Sequence, residues 1–198
     1  MALDWKSAQE NEKNFWKNIY VKDKTDDIYK KTAKFGWQLF AEQVLERNKI
    51  DKNLLNGKKI LDLGSGPAGI AKGLHLMLEK EIIKNCKIIA TDPLMDFFKK
   101  EISLLKEDEN LKLLSNKGEA IELPDSSVDI ILSTNVLDHC DNPDAVIHEC
   151  RRILKPGGLF CPSVHVVYSY LHYFTQYIKY FDHNHPHHFT EKQMKKKL

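Results

Sequence analysis

The sequence predicts an α/β chain built on a doubly wound, mostly parallel sheet, and three observations carry that expectation. Short apolar runs at 58–63, 87–91, 111–115, 128–133 and 159–167 read as strands, separated by longer connections that mostly carry a helical stripe. Glycines at 64, 66 and 69 follow the first run at once and open such a stripe, which reads as strand, tight turn and helix N-terminus. The run 128–133 is apolar almost without interruption, as a central parallel strand covered on both faces requires. A chain of 198 residues suffices for one such domain over 1–198, with a helical segment at 1–50, a sheet core at 58–167 and an aromatic and histidine-rich segment at 168–198.

In order, two helices are expected before the first strand, at 5–20 (Phe15, Trp16, Ile19) and 28–48 (Ala33, Trp37, Phe40, Ala41, Val44, Leu45), separated by the charged stretch 22–27. The helix after the glycine turn buries Ile70, Leu74, Met77 and Leu78, with Gly73 available for close packing on the sheet. Leu94, Phe97, Phe98, Ile102 and Leu105 form the next stripe. Asn142-Pro143-Asp144 reads as N-cap followed by proline at the first helical position, ahead of Val146, Ile147, Cys150, Ile153 and Leu154. Thr190-Glu191-Lys192-Gln193 has the spacing of a capping box.

The glycine turn invites a ligand, since glycine tolerates φ > 0 and lets a ligand approach the backbone. Its spacing also fits a dinucleotide fingerprint. Asp62 argues against a dinucleotide, because a carboxylate two residues before the first glycine sets negative charge beside a pyrophosphate. Pro67 also removes an N–H donor that such an anion would want. A ligand with a cationic end and no phosphate suits the carboxylate, and S-adenosylmethionine is such a ligand. Asp92, at the tip of the second strand, sits where the hydroxyls of an adenosine ribose lie in either case, or caps the following helix.

Asp62-x-Gly64-x-Gly66-Pro67-x-Gly69 resembles the first motif of class I S-adenosylmethionine-dependent methyltransferases. Arg151-Arg152-Ile153-Leu154-Lys155-Pro156-Gly157-Gly158 resembles the turn before the fifth strand in their small-molecule, type 11-like branch. The resemblance implies the Rossmann-like class I fold. It implies a cofactor site of Asp62, Gly64, Ser65, Gly66, Asp92, Pro93, Leu94, Glu119, Ala120 and Asn135, with Glu119 on the adenine amino group, its neighbours on the ring and the Asn135 backbone at the methionine part. The first two helices then lie over the cleft as a lid, so that Trp16, Tyr20 and Trp37 are either ligand contacts or plain core. S-adenosyl-L-homocysteine would be the product.

His139, beyond the fourth strand, is either a general base, with Asp138 as orienter or alternative, or a loop-shaping hydrogen-bonding group. Tyr173, His185 and His187 are candidates for substrate contact, in a segment that equally reads as an aromatic helix on the sheet edge. No ordered set of cysteines or acids accompanies the late histidines, so no metal is expected. The activity expected is methyl transfer to an O, N, C or S nucleophile of a small molecule. The rival readings are a cofactor-binding module without catalysis and an NAD-dependent dehydrogenase.

A net charge of +2 gives no argument for a nucleic-acid or membrane-surface partner. The four cysteines form no C-x-x-C pair, the first residues lack an apolar signal core, and no apolar run approaches the ~18 residues needed to cross a bilayer. A soluble protein of the reducing cytoplasm is expected. The family fold continues beyond Lys195-Lys196-Lys197-Leu198 with a sixth and seventh strand. Their absence, by truncation or because the terminal hairpin is missing, would leave the fifth strand as an open edge, to be covered by a homodimer partner or by a C-terminal segment.

Overall fold

The computed structural model describes residues 5–20, 27–167 and 187–198. Helices α1 (Trp5–Tyr20) and α2 (Asp27–Arg47) precede β1 (Lys59–Leu63), α3 (Gly69–Glu79), β2 (Lys87–Thr91), α4 (Met95–Glu101), β3 (Leu111–Leu114) and β4 (Val128–Thr134). Then come α5 (Pro143–Ile153), β5 (Leu154–Ser163), β6 (Val166–Val167), β7 (Phe189–Thr190) and α6 (Glu191–Lys197). β1 to β5 form one parallel sheet in the order β3-β2-β1-β4-β5. The chain therefore winds outward from β1 to β3 and restarts on the other side at β4. That reversal opens a crevice at the carboxyl ends of β1 and β4, the usual ligand site of such sheets.

Alternation along the strands feeds two cores. Ile60, Ile88, Ile130 and Leu132 face one side, where they meet Ala41, Val44, Leu45, Leu74 and Phe98 of the helices. Leu61, Leu63, Ile89 and Ile131 face the other, against Val146, Ile147, Cys150 and Ile153 of α5 and Phe189 and Met194 beyond it. Burying each such aliphatic side chain contributes about 1.5–3 kcal/mol. Asp62 lies on the strand between Leu61 and Leu63 and is itself 1% exposed.

The structure corrects two expectations. Gly73 packs on a helix and not on the sheet: a Cβ there would lie 2.2 Å from the Trp37 carbonyl oxygen and 2.6 Å from the Ala41 Cβ, so α3 touches the backbone of α2. The fifth strand runs over Leu154–Ser163 instead of 159–167. Val128 pairs with Leu154 and Ile130 with Leu159, so Lys155-Pro156-Gly157-Gly158 bulges out of the ladder, with Gly157 at φ +75°. Val166 and Val167 leave this sheet to pair with Phe189 and Thr190 in a separate parallel ribbon. Among the described residues β5 has β4 as its one sheet neighbour, and no helix is long and apolar enough to cross a membrane.

The caps form as expected. The Asn142 side chain accepts from the Asp144 and Ala145 amides, and Thr190 with Gln193 closes the capping box of α6. Arg152 near the end of α5 donates to the carbonyls of Ile121 and Leu123 and pairs with Asp125 and Glu149. It thereby fixes the loop that follows Glu119.

Candidate active site

At the crevice the glycine turn meets α1, which lies across it, and together with the ends of β2, β3 and β4 they enclose a cavity of about 810 Å³. Gly64 and Gly66 adopt φ +61° and +51°. A Cβ on Gly64 would lie 2.3 Å from Val136 Cγ2, whereas one on Gly66 would meet Trp16 Cζ2 at 3.6 Å. The turn is thus threaded between β4's exit and the α1 indole. Trp16 is held edge-on against Phe98, with centroids 6.1 Å apart, and its Nε1 donates to Glu12 Oε1 at 3.4 Å.

Four carboxylates line the cavity, from Glu12, Asp62, Asp92 and Glu119, and no lysine or arginine does so among the described residues. Three of them also hold backbone. Asp62 Oδ2 accepts from the Ala71 amide in the first turn of α3 at 2.9 Å. Asp92 Oδ2 accepts from the Gly66 amide at 2.9 Å and Oδ1 from the Leu94 amide at 2.8 Å, so it ties the glycine turn to the start of α4. Glu119 Oε1 accepts from the amides of Asp141 and Asn142 at 2.8 and 3.0 Å. It thus clamps the loop that opens α5.

Burial pushes the Asp62 carboxyl up to about 7, opposed by the Ala71 amide and aided by the charge of Asp92. Burial likewise pushes Asp92 up to about 7, aided by Glu12 and opposed by the Leu94 and Gly66 amides. A carboxyl whose folded value lies above its unfolded one costs the fold nothing when both states are protonated, below about pH 4. The cost grows as pH rises toward 7 and is complete above it. A cation bound at these acids prefers them ionised. Its affinity is therefore expected to rise between pH 6 and pH 8 with release of up to about one proton per carboxylate, then to level off. Calorimetric titrations in buffers of different ionisation enthalpy measure both.

Of the residues expected from the sequence, Asp62, Gly64, Ser65, Gly66, Asp92, Pro93, Glu119, Asn135, His139 and Trp16 all line the cavity. Asn135 stands at φ +54° and its amide donates to the Ser163 carbonyl at 2.7 Å, locking β4's exit to β5. Leu94 does not line it: only its amide faces Asp92, while its side chain packs on the core. Ala120 is exposed and outside the lining, because the chain turns between Lys117 and Ala120 and carries it outward.

Asp138 is also outside the lining. It is 1% exposed, and neither of its carboxylate oxygens takes a hydrogen bond among the described residues, so no such bond joins it to His139. His187 is committed elsewhere, its Nε2 donating to the Cys140 and Asp141 carbonyls and its ring stacked on Phe189. Tyr173 and His185, like the ring of Tyr20, lie outside the residues and side chains described.

The sequence reading missed Glu12, Asn116 and Cys140 in the wall. Glu12 was detectable, lying one helical turn before Trp16 on the same face. Burial, aided by nearby acids, pushes the Cys140 thiol up to about 12, which favours the neutral thiol over the thiolate. Among the described residues no three histidines, cysteines or acids converge as a metal site would require.

Residues 61–161, just over half of the chain and the stretch that carries the end of β1, all of β2, β3 and β4 and most of β5, match the family model described as a methyltransferase domain. The chain belongs to this methyltransferase family. A methyltransferase of Schizosaccharomyces pombe without characterised function is 29% identical over 111 residues, covering 52% of this chain and 38% of its own. The thiol S-methyltransferase TMT1B of Rattus norvegicus is 35% identical over 85 residues, covering 41% and 35%. The matched stretch is thus little more than a third of either relative's length. A Bacillus halodurans C-125 protein superposes with TM-score 0.61 at 18% identity, over 80% of this chain and 66% of that one, a likeness of fold alone.

S-adenosylmethionine is the cofactor this methyltransferase family implies. The wall fits it: glycines without Cβ at the turn, acids and no lysine or arginine among the described lining residues, and a space within the usual range for small-molecule sites. The same wall suits a diphosphate poorly, since it offers no counter-charge.

Proposed function

We propose that this chain transfers a methyl group from S-adenosylmethionine to an O, N, C or S nucleophile of a small molecule. The observation that carries the reading is the acid-lined cavity at the glycine turn. When bound, the cofactor supplies a methyl group on a sulfonium that needs no further activation, so the protein's task is alignment and exclusion of water. Asp62, Gly64, Ser65, Gly66 and Asn135 would hold its amino-acid end. Asp92 and Pro93 would hold the ribose, and Glu119 the adenine through the carboxylate oxygen not engaged by the Asp141 and Asn142 amides. Trp16 and Glu12 on α1 close the mouth as a lid, and His139 in the wall contacts the acceptor. Similarity to the rat thiol S-methyltransferase supports a small-molecule acceptor.

The test is incubation with cofactor labelled in the methyl group and a deproteinised metabolite extract. Label is expected in a small molecule. Cofactor binding without any transfer would instead favour a non-catalytic binding module.

A further inference from the structure

We propose that Asp138 and His165 form a carboxylate–imidazole pair that takes the proton of the methyl acceptor, an inference that rests on the methyl-transfer reading above. Asp138 is 1% exposed, and both its oxygens lack a hydrogen bond among the described residues. A buried carboxylate left in that state costs stability, and such a group beside a cleft points to a ligand or a reaction. Beside it stands His165, whose Nδ1 lies 3.9 Å from Oδ2 on a side chain 76% exposed.

Neither residue lines the cavity itself; both stand beside its rim, where an acceptor would enter. Asp138 belongs to the turn beyond β4, between Val136 and His139, which both line the cavity. His165 lies two residues past the end of β5, and the 2.7 Å bond from the Asn135 amide to the Ser163 carbonyl joins the two exits. The turn is braced from behind, since the His187 amide donates to the Asp138 carbonyl at 3.3 Å and its Nε2 to the Cys140 carbonyl at 3.0 Å. An imidazole with Nδ1 toward a carboxylate presents Nε2 in the opposite direction. A gap of 3.9 Å is longer than a hydrogen bond, and such contacts often tighten only once substrate is bound.

In the step assigned to the pair, the acceptor's X–H proton passes to His165 Nε2 while the electron pair on X forms the bond to the methyl carbon. The electrons of the broken S–C bond remain on sulfur, and the imidazolium is balanced by Asp138. His165 is the catalytic residue in this assignment and Asp138 the positioning residue.

The experiment compares wild type, His165→Ala and Asp138→Asn in the labelled-methyl assay with the same extract. Both variants are expected to lose about 10²–10⁴-fold in transfer rate while S-adenosylhomocysteine affinity stays unchanged, and added imidazole should restore part of the His165→Ala rate. Asp138→Asn should also melt at least as high as wild type, because the buried carboxyl it replaces takes no hydrogen bond among the described residues. In the ligand-free protein the imidazole nitrogen signals of His165 should show Nδ1 protonated, a preference lost in Asp138→Asn. Wild-type transfer with undiminished His165→Ala transfer overturns the pair alone. A folded Asp138→Asn that melts lower and transfers normally does the same. A wild type that transfers no label overturns the reading beneath it.

Discussion

Asp62→Asn is expected to lower affinity for S-adenosylmethionine by roughly 10- to 100-fold at pH 8, the scale of a lost charge-assisted interaction, while making the ligand-free protein more stable. Asn keeps an oxygen that can accept from the Ala71 amide, now 2.9 Å from Asp62 Oδ2, so the start of α3 retains its support. What disappears is the charge. Burial has raised this carboxyl to about 7, so at pH 8 the fold bears the cost of ionising it, and below about pH 4 it bears none. The stability gain should therefore be full at pH 8 and fade as pH falls. Thermal melts across that range, with titration calorimetry at pH 8, measure the two opposite effects. A variant that binds normally would show that Asp62 merely caps α3.

Gly64→Ala is expected to destabilise the protein by about 2–5 kcal/mol, combining left-handed backbone strain with overpacking, and to abolish cofactor binding. The backbone angle alone does not decide this, for Ala68 and Asn135 already sit at φ +60° and +54°. Space decides it. The new Cβ would stand 2.3 Å from Val136 Cγ2 and 3.0 Å from Cγ1, and Val136 is a buried branched residue in the wall of the same cavity. Its side chain, the turn or β4's exit must shift to admit the new methyl. Gly66→Ala is the control: at φ +51° it meets Trp16 Cζ2 at an ordinary 3.6 Å, so it carries the backbone strain alone. Melting temperatures should separate the pair at about 2–4 °C per kcal/mol. Equal melting would mean that Val136 yields freely.

Much of this arrangement is local chemistry and could be read directly. The first four strands begin and end within a residue of the apolar runs, the Asn142 and Thr190 caps form, and the glycine turn sits under a ligand-sized cavity. What escaped is set by contacts distant in sequence. Lys155-Pro156-Gly157-Gly158 reads as a turn whether it precedes a strand or bulges from one, and only the pairing of Val128 with Leu154 distinguishes the two. Gly73 looks the same whether its neighbour is a sheet or the Trp37 carbonyl.

In the site, the residue types were legible but not their second duties. Asp92 and Glu119 stabilise amides far along the chain before any ligand is considered. The length of the Glu119 side chain finds a use there, reaching the Asp141 and Asn142 amides. Asp138 illustrates the limit most clearly. Next to His139 in sequence, it reads as orienter of that ring or as its alternative, yet an irregular turn has no fixed periodicity, and the side chain faces His165 on the next strand's exit.

The central claim is that an acid-lined turn admits a cationic nucleoside and rejects a diphosphate, and direct binding to the wild-type chain tests it. Calorimetric titration at pH 8 with S-adenosylmethionine, S-adenosylhomocysteine and NAD should show saturable binding of the first two, weakening toward pH 6, and none of the third. Binding of NAD in preference to the sulfonium, or affinity for the sulfonium that grows as pH falls, would contradict the account.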